Sequence, residues 1–333
     1  MNLGIEIGGT KLQLVLGDST ARIRERRRFS VDTRQGAAGI RQQIERALPE
    51  LLRGRRISAV GVGFGGPVDC KTGQVARSHQ IEGWSGFDLA GWLRGRTGAQ
   101  VVVDNDANVA ALGEATRGAG VGQNPVFYVT LGSGVGGGLV VDGRIYHGAK
   151  PGEAEIGHLR LDRRGTTLES RCSGWAVDRK IRRRVRRQSR EFSGLAKLVG
   201  QSVGGEAKYL TAALRRGDAA AERILAETAS DLVFGLSHVV HLFHPEVIVL
   251  GGGLSRAGEP LRRAVAQTLP QWVMKVFQPV PRVLLAQLGE DSVPVGALLL
   301  ARGVGVQGSA CPEHPHHPKH TKARTPTWLS LPK

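Results

Sequence analysis

The chain of 333 residues has few cysteines, and their placement excludes a disulfide framework. Cys70, Cys172 and Cys311 are unevenly spaced, whereas small disulfide-stapled domains carry an even number of closely spaced cysteines. Isolated cysteines of this kind are typical of a reducing compartment. The sequence therefore predicts a cytoplasmic protein rather than a secreted, disulfide-rich one.

The chain also lacks a long apolar run. No stretch approaches the roughly 20 apolar residues that a membrane-spanning helix needs. A strand-like pattern begins at residue 2, so we expect no signal peptide. With 41% hydrophobic residues, the chain is long enough for a large core and favours two domains over one.

Acidic residues are scarce relative to basic ones, which raises the question of a nucleic-acid partner. The formal net charge is +17, and residues 179–190 hold eight basic side chains and no acid. We expect Ser173 to cap a helix here, with Val177, Ile181 and Val185 as one narrow apolar stripe. A solvated helix face explains such a run more simply than a polyanion site does, although clustered arginines attract phosphates. The candidates for a polyanion contact are Arg182, Arg183, Arg184, Arg186 and Arg187.

Strand-like runs and glycine turns recur in both halves, which indicates an α/β fold. Strands are predicted at residues 2–7, 11–16, 57–63, 125–131, 138–146 and 246–250, and helices at 38–54, 205–215, 219–242 and 294–302. The predicted domains are residues 1–107, completed by a helix near 293–304, and residues 108–292. Residues 308–333 combine His, Pro and Lys with little periodicity and are predicted to be disordered.

Three glycine-rich turns follow predicted strands. Consecutive backbone N–H groups in such a turn can hold an anion, and glycine permits the close approach, although glycine hairpins are also common without a ligand. A Walker lysine motif is absent, and no GxGxxG opens a helix after a strand, which argues against P-loop and Rossmann architectures. The candidate phosphate-binding and base-binding residues are Gly8, Gly9, Thr10, Lys11, Thr130, Gly132, Ser133, Gly134, Gly252 and Gly253.

The junction DNDAN at residues 104–108 carries more polar side chains than a helix start requires. Three valines precede it as a buried strand, and a helix pattern follows. One Asp or Asn is enough to cap a helix. Polar groups at the carboxyl end of a strand lie where open α/β sheets bind their ligands. The pattern therefore leaves a catalytic interpretation open beside the capping one.

Six motifs in a fixed order resemble a known family. They are GIEIGGTK at 4–11, FGGP at 64–67, DNDAN at 104–108, TLGSGVGGG at 130–138, EIGH at 155–158 and LGGG at 250–253. Together they resemble the ROK family of bacterial sugar kinases and sugar-responsive repressors, over residues 3 to 305. The resemblance implies the two-domain actin-like ATPase (ribonuclease H-like) fold with a ligand cleft between the domains. It also implies an ATP-dependent sugar kinase, with glucose as the first candidate substrate; the alternatives are an N-acetylhexosamine kinase and a non-catalytic sugar-responsive regulator.

The resemblance also implies roles for single residues. Asp106 matches the family's general base, which accepts the proton of the attacking sugar hydroxyl. Glu6 stands where the family usually has Asp and is a candidate for holding Mg²⁺ through water, while Asp104 is interpreted as a cap and Asn108 as a brace of the turn. A homodimer is implied by analogy. The residues implied for sugar binding are Gly65, Gly66, Asn105, Glu155, His158 and Glu169.

The sequence departs from the family at its zinc site. The family usually carries the cluster CxCGxxGC after its Gly-His, whereas residues 158–174 read HLRLDRRGTTLESRCSG. A structural zinc site requires four ligands, and Cys172 is the only candidate near His158 in sequence. We therefore expect ATP and Mg²⁺ as cofactors, and no zinc.

Overall fold

Strands and helices alternate along the chain in the computed structural model, which describes residues 1–78, 81–149, 154–187 and 193–307. The strands are β1 (Asn2–Ile7), β2 (Lys11–Gly17), β3 (Ile23–Ser30), β4 (Ala59–Phe64), β5 (Val68–Asp69), β6 (Gln74–Val75), β7 (Gln100–Asn105), β8 (Val126–Leu131), β9 (Val135–Val141), β10 (Arg144–Ile145), β11 (Val247–Gly251) and β12 (Arg282–Leu285). The helices are α1 (Gly36–Leu52), α2 (Leu89–Thr97), α3 (Asp106–Arg117), α4 (Leu168–Cys172), α5 (Gly174–Arg187), α6 (Ser193–Val199), α7 (Leu210–Arg215), α8 (Ala219–Phe243), α9 (Glu259–Thr268) and α10 (Ser292–Gln307). The predicted tail at 308–333 lies outside the described residues.

Within the described part of the chain, two five-stranded sheets share one topology. Their strand orders are β3-β2-β1-β4-β7 and β10-β9-β8-β11-β12. In each sheet an antiparallel hairpin, β1–β2 or β8–β9, continues into parallel strands. The first sheet comes from residues before the predicted boundary at residue 107, and the second from residues after it. The repeated strand, turn and strand pattern of the sequence thus corresponds to a repeated sheet.

One helix connects the two halves. The carboxyl-terminal helix α10 packs on β1 and β4 of the first sheet and also on α3, and α3 in turn packs on β8 and β9 of the second sheet. The strands β1 and β4 are buried along their whole length, which explains why they read as nearly continuous apolar runs. Helices α3 and α10 therefore form the layer between the sheets.

Glycines allow backbones to touch in this layer. A Cβ atom on Gly61 of β4 would lie 1.9 Å from the carbonyl oxygen of Ala297. On Gly296 of α10 it would lie 1.8 Å from the carbonyl oxygen of Val109 in α3. Backbone atoms cannot swing aside as a flexible side chain can, so neither position admits any side chain.

The second glycine turn, between β8 and β9, is shorter than the sequence pattern indicates. The predicted turn covers residues 133–137, but β9 begins at Val135, and Gly136 already pairs with Thr130. The physical reason lies across the sheet, where α3 starts: a Cβ atom on Gly138 would lie 2.7 Å from the carbonyl oxygen of Ala107. These glycines make room for a helix, and only residues 132–134 are left to turn the chain.

The arginine-rich segment forms α5, as predicted, but its charged face is largely paired. The Ser173 hydroxyl caps the helix by accepting from the Ala176 amide at 3.1 Å. Arg182 donates to both carboxylate oxygens of Glu206, at 2.8 and 2.9 Å. The expectation of a solvated face, or of a free polyanion surface, is therefore wrong for Arg182.

The other arginines of the segment differ in their surroundings. Arg184 forms an ion pair with Glu227, so the expectation of a solvated face is wrong here too, whereas Arg183 is exposed. The side chains of Arg186 and Arg187 lie outside the described residues. No helix in the described ranges is long and apolar enough to cross a membrane.

The glycine contacts predict that replacing glycine with alanine in α10 changes the free energy of unfolding by an amount that depends on the position. Gly296→Ala should lower the free energy of unfolding by about 3 kcal/mol, near the upper end of overpacking costs, because the new methyl meets backbone. Gly303→Ala in the same helix is the control: a Cβ atom there meets nothing within 4 Å. Alanine should stabilise that position by up to about 1 kcal/mol. Urea unfolding measures both, and equal effects would contradict the close packing.

Candidate active site

A cleft of about 450 Å³ is lined by residues from both sheets. Thr10 and Lys11 contribute from the β1–β2 turn, Thr130 from β8, and Gly252 and Gly253 from the turn after β11. These candidates for phosphate and base binding therefore face one space. The structure does not place Gly8, Gly9, Gly132, Ser133 and Gly134 in the lining of this cleft.

The glycine turns around the cleft are tight for local reasons. The Gly8 amide donates to the Lys11 carbonyl at 2.9 Å, and the Gly132 amide to the Gly134 carbonyl at 3.0 Å, which closes both turns. Gly252 has a φ of 80°, and a Cβ atom there would lie 2.6 Å from the backbone of Leu131. The third turn therefore needs glycine both for its conformation and for its contact with β8.

Asp106 is the first residue of α3 and directly follows β7. Its carboxylate faces the turn after β4: Oδ2 lies 3.4 Å from the position a Cβ atom would take on Gly65. The Gly65 amide donates to the Ile7 carbonyl at 2.8 Å, which holds this turn against the end of β1. Three parallel-strand ends of the first sheet therefore meet at Asp106, where α/β sheets bind ligands.

The environment of Asp106 favours its protonated form. Burial, reinforced by the negative charges of Glu6 and Glu155, raises the pKa of the Asp106 carboxyl to about 7. The contribution of Glu155 shows that this predicted sugar ligand lies within electrostatic reach of Asp106. A carboxyl with a pKa near neutrality, at the end of a strand, is typical of a general base.

Glu6, the predicted magnesium residue, is buried at the end of β1. Its carboxylate pairs with the Lys11 ammonium at 3.0 Å and accepts a hydrogen bond from the Gln13 amide at 2.7 Å. Burial raises the pKa of Glu6, and the charge of Lys11 opposes this shift. Glu6, which pairs with Lys11, is thus a second desolvated carboxyl group within electrostatic reach of Asp106.

The caps at the 104–108 junction differ from the expectation. Asn105, not Asp104, is the cap of α3: its Oδ1 accepts from the amides of Ala107 at 2.9 Å and Asn108 at 3.4 Å. The interpretation of Asp104 as a cap is therefore wrong. Asn105 also donates from Nδ2 to the Gly66 carbonyl at 3.3 Å, so it links α3 to the turn after β4.

Asp104 is a buried hub of hydrogen bonds. Its Oδ1 accepts from the Asn105 amide at 2.7 Å and from Asn108 Nδ2 at 3.0 Å, and its Oδ2 lies 2.6 Å from Nε2 of His147. Asn108 thus braces the turn by way of Asp104. The contact with His147 could not be predicted from local sequence, because the two residues are 43 positions apart.

The other predicted sugar residues lie on the second half. Glu155 directly precedes a 3-10 helix at Ile156–His158 without a side-chain capping hydrogen bond, and the His158 ring lies 4.0 Å from its carboxylate. His158 is 74% exposed, so it is neither a core histidine nor enclosed. Glu169 accepts from the Val135 amide at 2.9 Å, and this bond connects α4 to the second glycine turn.

Cys172 does not take part in a thiolate site. Its thiol is fully buried and donates to the Thr228 carbonyl at 3.5 Å, and burial raises its pKa to about 12. Within the described ranges, no group of three or more His, Cys, Asp or Glu side chains is arranged to hold a metal ion. The absence of zinc stays a prediction.

The cleft also contains a network of ion pairs that was not predicted from the sequence. Arg28 on the edge strand β3 donates to Glu290 at 2.8 Å, and Arg256 binds the other oxygen of the same carboxylate. All three residues line the cleft beside Lys11. No local pattern signals this arrangement, because its members come from distant parts of the chain.

Comparisons with known proteins agree with this architecture. The chain matches the model of the ROK family over residues 2–304. It is 30% identical to a glucokinase of Thermotoga maritima over 303 residues, which cover 89% of this chain and 95% of that protein. It is 32% identical to a glucokinase of Streptomyces coelicolor over 312 residues, with coverages of 91% and 98%. A ROK family glucokinase from Streptomyces griseus, crystallised with glucose and AMPPNP, superposes with a TM-score of 0.81 at 33% identity, covering 91% of this chain and 99% of that one.

The paired sheets and the cleft between them define a two-domain actin-like ATPase fold, the fold of the ROK sugar kinases. The chain belongs to the ROK family. The resemblance inferred from the six motifs is therefore confirmed, and so is the predicted fold class.

The pKa of Asp106 predicts how stability depends on pH. Its pKa is about 7 in the folded chain against an ordinary value of 3.8, so the folded state loses stability as pH rises between these values. Asp106→Asn removes the charge and should stabilise the protein more at about pH 8 than at about pH 5. Urea unfolding at both pH values measures the difference.

Asp162→Asn is the matched control for this experiment. Hydrogen bonds from Thr166 hold the pKa of Asp162 below its ordinary value. This carboxyl is ionised in the folded and the unfolded chain at both pH values, so its replacement should change stability equally at both. If Asp106→Asn also changed the free energy of unfolding equally at both pH values, the pKa of Asp106 would not be raised.

Proposed function

We propose that the protein is an ATP-dependent hexose kinase that converts glucose to glucose 6-phosphate. The observation that carries this proposal is the raised pKa of Asp106, at the point where the strand ends of the first sheet meet. The identities of about 30% with proteins named glucokinase support glucose as the substrate.

In the proposed reaction Asp106 is the general base. A sugar hydroxyl is a weak nucleophile, and it becomes stronger if a carboxylate accepts its proton as the bond to the γ-phosphate forms. A base with a pKa near the working pH combines sufficient basicity with sufficient ionised fraction. Loss of water on ligand binding would strengthen the interactions of this carboxylate further.

The phosphates of ATP are proposed to bind in the cleft. Lys11 offers an ammonium, Thr10 a hydroxyl, and the turn after β11, whose Gly252 and Gly253 line the cleft, offers backbone N–H groups. Phosphoryl transfer needs positioning and positive charge more than covalent chemistry, which suits such a set of donors. Gly252 and Gly253 line the cleft, and Gly253 leaves room for the nucleotide base, since a Cβ atom there meets nothing within 4 Å.

Mg²⁺ fits the donor set at the end of β1. Hard oxygen ligands hold this ion, often one or two carboxylates together with water, and Glu6 and Asp106 are carboxyl groups close enough to raise the pKa of Asp106. Glu6 would hold Mg²⁺ through water, and the ion when bound would neutralise charge on the phosphates. The pairing of Glu6 with Lys11 keeps both groups oriented toward the cleft.

The sugar is proposed to bind between the turn after β4 and the 3-10 helix that carries His158. Gly65 and Gly66 would offer backbone groups, and Asn105 its side-chain amide. Glu155 and His158 would approach from the second half. A pocket lined by polar groups rejects analogues that leave those groups unpaired.

Glu169 is proposed as the last sugar ligand. A carboxylate accepts several hydrogen bonds, so Glu169 can bind a sugar hydroxyl while it accepts from the Val135 amide. This residue would link the sugar site to the second glycine turn.

We also infer a homodimer. Leu242, Trp272, Met274 and Val276 are large apolar side chains that are 45–76% exposed. The Met274 amide donates to His241 at 3.2 Å, which places the Trp272 segment beside the end of α8. An exposed apolar patch of this kind is typical of an interaction surface. Trp272→Asp should convert the dimer to a monomer in light scattering after gel filtration; a monomeric native protein would contradict the inference.

The kinase proposal predicts glucose-dependent ADP release from Mg-ATP. In a coupled assay over glucose, mannose, fructose, allose and the N-acetylhexosamines, glucose should give the highest kcat/KM. Asp106→Asn should lower kcat by about 10²–10⁴-fold, the usual cost of losing a general base. Because the base must be ionised, kcat/KM of the native enzyme should fall below about pH 7, the pKa of Asp106.

Asp142→Asn is the control substitution. Asp142 is an exposed residue with a φ of 51° in the turn after β9, a conformation that Asn also adopts, so activity should be retained. Turnover with an N-acetylhexosamine alone would overturn glucose as the substrate. Sugar binding by calorimetry without turnover of any sugar would instead identify a sensor.

A further inference from the structure

His147 contacts the catalytic turn from the opposite half of the molecule. It lies two residues after β10 of the second sheet, whereas Asp104 ends β7 of the first sheet together with Asn105. Nε2 of His147 lies 2.6 Å from Oδ2 of Asp104, and the two side chains are 20% and 3% exposed. This is a short, largely buried hydrogen bond between an imidazole and a carboxylate.

The other carboxylate oxygen of Asp104 organises the start of α3. Oδ1 accepts from the Asn105 amide at 2.7 Å and from Asn108 Nδ2 at 3.0 Å. Asn105 in turn caps the helix through the Ala107 and Asn108 amides. Asp106 lies between Asn105 and Asn108, so Asp104 holds the backbone before it through the Asn105 amide and the side chain of Asn108 after it.

A carboxylate that is 3% exposed cannot easily replace a lost partner with water. Removing one partner of a buried charge-assisted hydrogen bond leaves the other without compensation. Asp104 would then have to turn toward another donor, and its two contacts to Asn105 and Asn108 would shift with it. A displacement of about 1 Å at a catalytic group can cost about 100-fold in rate.

We propose that His147 is a positioning residue that holds Asp104, and through Asp104 the turn that presents Asp106, in the geometry for phosphoryl transfer. The chain leaves His147 and reaches Glu155 eight residues later. The same segment therefore holds the turn of Asp106 and carries a proposed sugar ligand. The effect of His147 on kcat rests on the proposed kinase activity. Its effect on the structure of the turn at residues 104–108 does not.

The test compares His147→Leu with His147→Gln. Leucine removes the donor, whereas the Nε2–H of glutamine can reach Asp104 as the imidazole does. His147→Leu should lower kcat with glucose about 10–100-fold and leave KM for ATP within about twofold, because the cleft residues that face ATP are untouched. His147→Gln should recover most of kcat. A purely structural role would not separate kcat from KM in this way.

Hydrogen exchange provides a readout that needs no activity. In His147→Leu, the amides of residues 104–109 should exchange faster than in the native protein, and in His147→Gln they should stay protected. The control is His238→Leu, which replaces an exposed histidine on α8 and should change neither exchange in this segment nor kcat.

The two readouts separate the possible failures. An inactive native protein with faster exchange in His147→Leu would refute the kinase proposal and keep the positioning role. An active native protein whose kcat and exchange are the same in His147→Leu would overturn the role of His147 and keep the kinase.

Discussion

The arrangement of the two halves depends on the buried carboxylate of Glu114. This fully buried side chain on α3 accepts hydrogen bonds from the amides of Ala119, Gln287 and Leu288, at 2.9, 3.0 and 2.9 Å, and from the Ser292 hydroxyl at 2.7 Å. It therefore satisfies the start of α10 and the loop before it, which would otherwise hold unpaired donors. The helix whose first residue is Asp106 is thereby tied to the helix that packs on the first sheet, and the Asp106 carboxyl, the proposed general base, is carried by the layer between the halves.

Rigid support of this kind is what a desolvated catalytic group requires. The raised pKa of Asp106 means that folding places this carboxyl where its charge is unfavourable. Such a group stays in place only if its surroundings fix it independently of its own interactions. Glu114 holds one end of α3 and Asp104 the other, and both carboxylates are nearly fully buried with their hydrogen bonds made. The unfavourable burial of charge thus falls on Asp106, whereas the hydrogen bonds that hold α3 are made by Asp104 and Glu114.

The sequence predicts elements that depend on local patterns, and fails where distant residues meet. The order of the predicted strands and helices follows from periodicity and glycine turns, and the family follows from six motifs in order, whereas β3, β12, α2 and α9 have no counterpart among the predicted elements. The glycine content of the loop between β8 and β9 could not predict where the turn ends. Gly138 is needed because a side chain there would collide with the start of α3, not because the chain bends at this position. Asp104 looked like a cap because Asp and Asn cap helices equally well, and only the fold shows that His147 is its partner. Arg182 was likewise expected to be solvated, because its partner Glu206 is 24 residues away and no local pattern indicates the ion pair.

Hydrogen bonds within the segment between His158 and Glu169 set the position of Glu169, which is proposed as a sugar ligand. Asp162 accepts from the amides of Arg164 and Thr166, at 2.8 and 3.1 Å, and the Leu168 amide donates to the Leu159 carbonyl at 2.9 Å. Thr167, the residue before Leu168, caps α4 in a capping box with Ser170. These contacts close a short hairpin whose two ends are the elements that carry His158 and Glu169. The spacing of these two elements is thus set by the Asp162, Thr167 and Ser170 side chains together with backbone hydrogen bonds, and the Val135 amide holds the Glu169 carboxylate against the second glycine turn.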